Sequence, residues 1–466
     1  MGVLVTITAK STSGTLRGRI EDGMTVFRGV RYAECERFGA PGPVPVWDGE
    51  ADATTDGPIA PQRPSRLEPV MGVPERPEQA EDCLTLTITT PGADHQARPV
   101  LVWFHGGAWV AGAGSWKWYG GHRLARDGDV VVVSANYRLG VLGYLRAPGI
   151  SEGNLGLADQ LAALRWVRDN IAAFGGDPDA VTVAGQSAGG HSVQCLLGMP
   201  AAEGLFRRAI MQSAPGGLGL GKADAARRSA KRFIARLGAD PRTAPVEAIL
   251  DAQAAVARQA AGRLGLNTAP QFMPVAGAGP LPDEADWATC LTRRAPGLDV
   301  IIGTTGREMG AFYALNPVFR RTRRTPVIGS TLANGAELAV GTAAFYRPGR
   351  RLATRLSAAG ARVWTYRFAY AAPASPFGAC HCIELPFLLG TDTDWASAPM
   401  LAGAHPRDID TLGRRLRTSW LGFIRTGTPT TGTPWPQVHS TLPSHLPLER
   451  LKILNDGATE RGRGRS

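Results

Sequence analysis

The stretch "VTVAGQSAGG" (residues 181–190) decides how the rest of the chain is read. A run of strand-forming residues stops at a serine hemmed in by Gly185, Ala188, Gly189 and Gly190. Gly-x-Ser-x-Gly between a strand and a helix describes a strained turn that leaves the serine oxygen bare, with the new helix pointing its N-terminus at the reacting centre. The bland alternative is a glycine-rich connection in which Ser187 only caps the helix. The first reading requires more of the chain: a base, an acid to orient it, and backbone N–H groups to receive an oxyanion.

Candidates for each part are present. "WFHGGAWVAG" (103–112) ends the predicted strand "PVLVWF" (99–104). Pre-aimed backbone N–H groups there would each contribute about 3–4 kcal/mol to a developing oxyanion. The expected donors are Gly107 and Ala108, with Gly106 setting the turn and the Ala188 amide as a third. Eight histidines compete to be the base: His95, His105, His122, His191, His381, His405, His439 and His445. His105 belongs to the glycine turn and is expected to brace it; His191 lies one helical turn past Ser187 and is expected to pack away from the bend. His381, in "FGACHCIELPFLLG" (377–390), follows the predicted strand "RVWTYRF" (362–368), where an α/β sheet delivers its base. Glu308, a few residues beyond "DVIIG" (299–303), supplies the acid, in the order serine, acid, histidine expected for this architecture. Glu384 is a rival whose place in "ELPF" suits an anchoring contact.

Periodicity supports the architecture. Predicted strands at 99–104, 129–137, 180–185, 208–214, 299–303 and 362–368 alternate with helical patterns, which implies a mostly parallel sheet covered on both faces. Leu157, Leu161, Leu164, Val167, Ile171 and Phe174 form one apolar stripe that ends at Gly175-Gly176, before a turn at Asp177-Pro178. The first 90 or so residues carry short alternating segments, 25–33 and 84–91, expected as antiparallel edge strands. One domain over 1–466 is expected, with a helical cap at about 216–297 and a frayed tail at 458–466.

Composition narrows the classes. The net charge of +11 rests on 51 basic residues, of which only five are lysine. Their clusters, such as "FRRTRRTP" (319–326), lack the interleaved aromatics of a single-strand nucleic-acid groove, so no nucleic acid is expected. No apolar run of about 20 residues predicts membrane insertion. The start, "MGVLVTITAKSTSG", lacks a signal-peptide pattern, so a cytoplasmic location is expected. Six cysteines form no disulfide framework, and "CHC" (380–382) lacks zinc-site spacing, so no metal is expected. "GGLGLGKA" (216–223) fits a phosphate-binding loop, but Ala223 replaces the magnesium-binding hydroxyl.

Taken together, these motifs resemble the type-B carboxylesterase/lipase family, which includes bacterial para-nitrobenzyl esterases and the cholinesterases. The likeness runs from "GRIEDGMTVFRGVRYA" (18–33) through "EDCLTLTITTP" (81–91), "NYRLG" (136–140), "GQSAGG" (185–190), "GTTGREMGAF" (303–312) and "HCIELPF" (381–387) to "TGTPTTGTPWP" (426–436). The resemblance implies an α/β-hydrolase fold, no cofactor, and a triad on Ser187, Glu308 and His381. A small-molecule ester is the expected partner, with a carbamate, lactone or thioester substrate, or a non-catalytic binding relative, as the alternatives, and a monomer or weak homo-oligomer is expected. Four departures stand out. Gln186 occupies a position usually held by glutamate, Arg307-Glu308-Met309 replaces Asp-Glu-Gly, Ala60 stands where secreted relatives have a cysteine to pair with Cys83, and the stretch after Phe312 is short. The last predicts a smaller cap and a more open pocket.

Overall fold

The central strands are apolar on both faces, as residues must be when helices cover a sheet on each side. The computed structural model describes residues 6–262, 264–430, 435 and 437–438. Among them are eleven strands of one sheet: β1 (Thr6–Lys10), β2 (Thr15–Glu21), β3 (Met24–Arg31), β4 (Glu50–Asp52), β5 (Thr85–Thr90), β6 (Arg98–Phe104), β7 (Val131–Ala135), β8 (Gly176–Gln186), β9 (Arg208–Gln212), β10 (Asp299–Thr305) and β11 (Arg362–Phe368). The spatial order is β1-β2-β3-β5-β7-β6-β8-β9-β10-β11, with β4 beside β2. Pairing is antiparallel from β1 through β5 to β7, then parallel from β7 to β11.

Two strand boundaries differ from the sequence expectation, each for a local reason. β7 stops at Ala135 because the next two side chains take other partners: Asn136 Oδ1 accepts from the Gly114 amide, and the Tyr137 hydroxyl donates to the His105 carbonyl at 2.7 Å. β8 begins at Gly176, before the expected turn, since Gly176 pairs with Arg98 ahead of a register shift between Arg98 and Val100.

The predicted apolar stripe lies on the helix Leu155–Asn170 and its 3-10 extension Ile171–Phe174, and all six of its residues are buried. Gly175 closes the extension at φ +80°. The stretch 216–297 contains the helices Ala223–Leu237, Val246–Ala261 and Glu284–Arg294. Gln253 on the second accepts from the Val141 amide at 2.7 Å. In the glycine-rich run 216–223, Gly221 donates to the Pro274 carbonyl and accepts from the Ala276 amide, so its backbone is engaged in strand-like pairing. No helix among the described residues is long and apolar enough to cross a membrane. The expected frayed tail lies outside the described residues.

The "NYRLG" segment is tied to the long helix by a buried ion pair. Arg138 Nη2 donates to Asp159 Oδ1 at 2.6 Å, its Nε and backbone amide donate to Oδ2, and Nη1 donates to the Gly39 carbonyl. Neither side chain is more than 4% exposed. Removing one partner strands the other charge in the interior, at about 3–5 kcal/mol. Asp159→Ala is therefore expected to lower the unfolding free energy by that amount in urea titrations, while Arg138→Met with Asp159→Leu together cost much less.

Candidate active site

The loops after β6, β8, β9, β10 and β11 converge on the carboxyl edge of the parallel strands, where open α/β sheets place their ligands. At the end of β8 the chain turns at Ser187 (φ +57°, ψ −121°), and the helix Ala188–Leu197 begins. Such a φ is strained for a residue with a side chain. The turn fits because Gly185 and Gly189 meet each other and β6 at backbone contact: a Cβ on Gly189 would collide with the Phe104 carbonyl, and one on Gly185 with Gly189 itself. The Ser187 amide is anchored to the Gln212 carbonyl at 2.8 Å, and Ser187 is half-buried while its neighbours on both sides are buried.

Beside it, His381 Nδ1 lies 2.6 Å from Glu308 Oε2. The other carboxylate oxygen of Glu308 accepts from Ser213 Oγ and the Thr305 amide, both at 2.7 Å. Burial opposes ionisation of Glu308, yet its contact with His381 and these donors hold its carboxyl below the ordinary value. A carboxylate fixed by three partners can hold an imidazole in one tautomer, with Nδ1–H toward Glu308 and Nε2 toward the serine turn.

At Nε2 the contact within hydrogen-bond distance is the side-chain amide of Gln186, 3.1 Å away. This couples the residue before Ser187 directly to His381. Beneath them Glu384 is fully buried, its Oε2 accepting from the Tyr366 hydroxyl at 2.9 Å. Burial, reinforced by Glu308, pushes its carboxyl up to about 8. Glu384 thus makes an anchoring contact to β11 and none to His381. Cys380 and Cys382 flank His381 as buried free thiols; burial raises Cys380 to about 12 and Cys382 well above its ordinary value. No group of His, Cys, Asp and Glu among the described residues could hold a metal ion.

The "HGGAW" loop lies against the turn, since a Cβ on Gly106 would press on Gln186 and Ser187. Gly107 takes φ +114°, which frees it to pass close to Ala111, and Ala108 and Trp109 are left-handed at +55° and +58°. This backbone leaves the amides of Gly107 and Ala108 without a carbonyl partner among the described residues; the Ala188 amide, first in its helix, is also without one. His105 braces the loop: its ring stacks on Tyr137 at 4.4 Å and its Nδ1 meets the Gly106 carbonyl at 2.7 Å. His191 is buried behind the turn against Trp109 and the Gly219 carbonyl.

Trp116 and Trp118 border a narrow cavity of about 20 Å³ with Leu67, Met71, Gly106, Gly107 and Gln186. Phe312 packs on His381 at 5.4 Å between ring centres. Trp109 and Tyr313 belong to the core. Phe345, from the π-helical segment Thr342–Tyr346, also packs on His381, at 5.2 Å between ring centres.

A family model described as the carboxylesterase family matches residues 4–325 and 324–458. The chain is 49% identical to a probable N-octanoylanthranilate hydrolase of Rhodococcus erythropolis, over 90% of this chain and 93% of that one. It is 35% identical to the para-nitrobenzyl esterase of Bacillus subtilis, over 96% of both. The solved structure of a para-nitrobenzyl esterase superposes with a TM-score of 0.80 at 33% identity, covering 93% of each chain. The chain belongs to the carboxylesterase family. As a carboxylesterase it has the α/β-hydrolase fold and is a serine-dependent carboxylic ester hydrolase.

Sequence reasoning missed three contributors to this carboxylesterase site: Ser213, the Gln186 contact to His381, and Phe345. Ser213 follows β9, between the strands that carry Ser187 and Glu308, so its strand-end position was the available signal. Nothing in the local pattern around Phe345 announces its role.

Two pH effects follow. A carboxylate in place of the Gln186 amide favours a protonated imidazole, so Gln186→Glu should move the acid limb of the kcat/KM profile to higher pH; an unmoved profile would count against the contact. Glu384 retains its proton in the folded protein between its ordinary value of 4.5 and about 8. The folded state then holds more protons than the unfolded one, and stability falls as pH rises through that window. Glu384→Gln should flatten this fall, read as melting temperature against pH.

Proposed function

We propose that the ester hydrolysis proceeds through an acyl-enzyme on Ser187, with His381 as general base and acid, Glu308 orienting the imidazole, and the Gly107, Ala108 and Ala188 amides as the oxyanion hole set by Gly106. His381 Nε2 takes the hydroxyl proton as Oγ bonds to the carbonyl carbon, and the carbonyl electron pair moves onto oxygen. When the tetrahedral adduct collapses, the imidazolium passes that proton to the leaving group. Water then gives a proton to His381 and attacks the acyl carbon, and the returning proton restores Ser187 as the acid leaves. For this exchange the Gln186 amide yields Nε2 to the serine oxygen; catalytic contacts commonly tighten only when substrate binds. The observation that carries the reading is the 2.6 Å His381–Glu308 contact beside a half-buried serine at a strained turn.

The helices within 216–297 act as a cap over this site in the same reading. The acyl or aryl part of the substrate lies against Leu67, Met71, Trp116 and Trp118, and the relative named as an N-octanoylanthranilate hydrolase supports medium-chain acyl compounds of an aromatic amine among the substrates.

Ser187→Ala is expected to lower kcat/KM for a 4-nitrophenyl ester by about four orders of magnitude or more with the fold intact. An organophosphate should label Ser187 stoichiometrically by mass mapping. Retained turnover by the pure variant, or a label elsewhere, refutes the assignment.

A further inference from the structure

The helix Gly329–Gly341 is packed inside out. Its buried stripe consists of Gly329, Ala333, Glu337 and Gly341, while Leu332 and Leu338 face solvent at 57% and 58% exposure. At about 100° per residue, Leu332, Ala336, Leu338 and Ala339 share one outward arc with Ile328, which precedes the helix and is 56% exposed. Val327, next to Ile328 in the chain, is 99% exposed. A surface helix ordinarily shows the opposite arrangement, and exposed apolar residues gathered on one helix face mark a candidate interaction site.

Thr331 also falls on the outward arc, while two other polar residues of the helix lie toward arginine. Ser330 and Asn334 line an open cleft of about 380 Å³ with Arg307, Arg320, Arg323 and Arg324. Arg307 and Arg323 share the buried carboxylate of Glu337. Arg320, Arg321 and Arg324 are exposed and make no ion pair among the described residues. An aliphatic face bordered by a cationic cleft matches the two layers of a membrane surface, acyl chains beside anionic headgroups. A second copy of this chain fits less well, because a two-fold contact through this face would set arginine against arginine.

We infer that the face formed by the Gly329–Gly341 helix and the Arg320–Arg324 cluster docks on an anionic phospholipid surface, with headgroup phosphates in the arginine cleft. The patch is connected to the site described above: the C-terminus of the helix abuts Glu308 and Met309, and the chain continues directly into the π-helical segment that sets Phe345 on His381. Docking therefore engages the helix whose end and continuation touch Glu308 and His381. Any consequence for turnover rests on the acyl-hydrolase reading; the docking itself does not.

The test is co-sedimentation of the full chain with unilamellar vesicles of phosphatidylcholine, with and without phosphatidylserine. Partitioning at least about tenfold stronger onto the anionic vesicles is expected, lost as salt is raised. Leu332→Ser with Leu338→Ser, and separately Arg320→Gln with Arg324→Gln, should each weaken it about tenfold or more at an unchanged melting temperature. No partitioning onto anionic vesicles, or partitioning that neither pair of substitutions changes, overturns the proposal. So does a lipid-free dimer that the leucine substitutions dissolve, which would seat a second copy on this face. Absent ester turnover would remove the acyl-hydrolase reading and leave the vesicle result standing.

Discussion

The site depends on one backbone constraint, the close approach of the helix Ala188–Leu197 to strand β6. Gly189 lies so near the Phe104 carbonyl that any side chain there would force the two apart. That approach permits the unfavourable φ at Ser187 and brings the "HGGAW" loop over the turn in the same step. The strain is held by the surrounding sheet, since β8 is paired on both sides along its buried length. Turn, loop and amide donors are consequences of a single packing contact.

Electrostatics then separate groups that look alike in composition. Glu308 and Glu384 are both buried near His381, yet three partners favour the ionised form of one, and burial near that charge keeps the other neutral at ordinary pH. Environments that push two carboxyls apart in this way separate their chemical roles. Gln186 fits the same pattern: an uncharged amide meets the imidazole at a position where the family resemblance implies a carboxylate, so only one ionised carboxylate bears directly on His381.

Much of this was legible in the sequence because its signals are local. The strands β6 and β8 to β11 are short apolar runs, and the serine turn, the glycine loop and the two later loops each follow such a run. Ser187, Glu308 and His381 could be named as candidates because a parallel sheet places strand-end loops side by side. What could not be read depends on how distant segments meet. The second acceptor oxygen of Glu308 is satisfied from the neighbouring strand by Ser213, Phe345 arrives from the π-helical segment that follows a helix whose outward leucines break the usual amphipathic rule, and Asn136 and Tyr137 leave β7 for tertiary partners. The arginine run 319–326 looks like plain solvated surface until the fold sets it beside that helix.

The two thiols around His381 carry a consequence for chemoselectivity. Sulfur attacks as thiolate, and burial makes that form scarce at Cys380 and Cys382 even in mildly alkaline solution. Soft alkylating agents that enter the cavity therefore find no competent sulfur beside the imidazole, although Cys382 borders it. On the proposed role of Ser187, hard acylating and phosphorylating electrophiles meet its hydroxyl without competition from sulfur, so the composition of the loop itself sorts reagents by class.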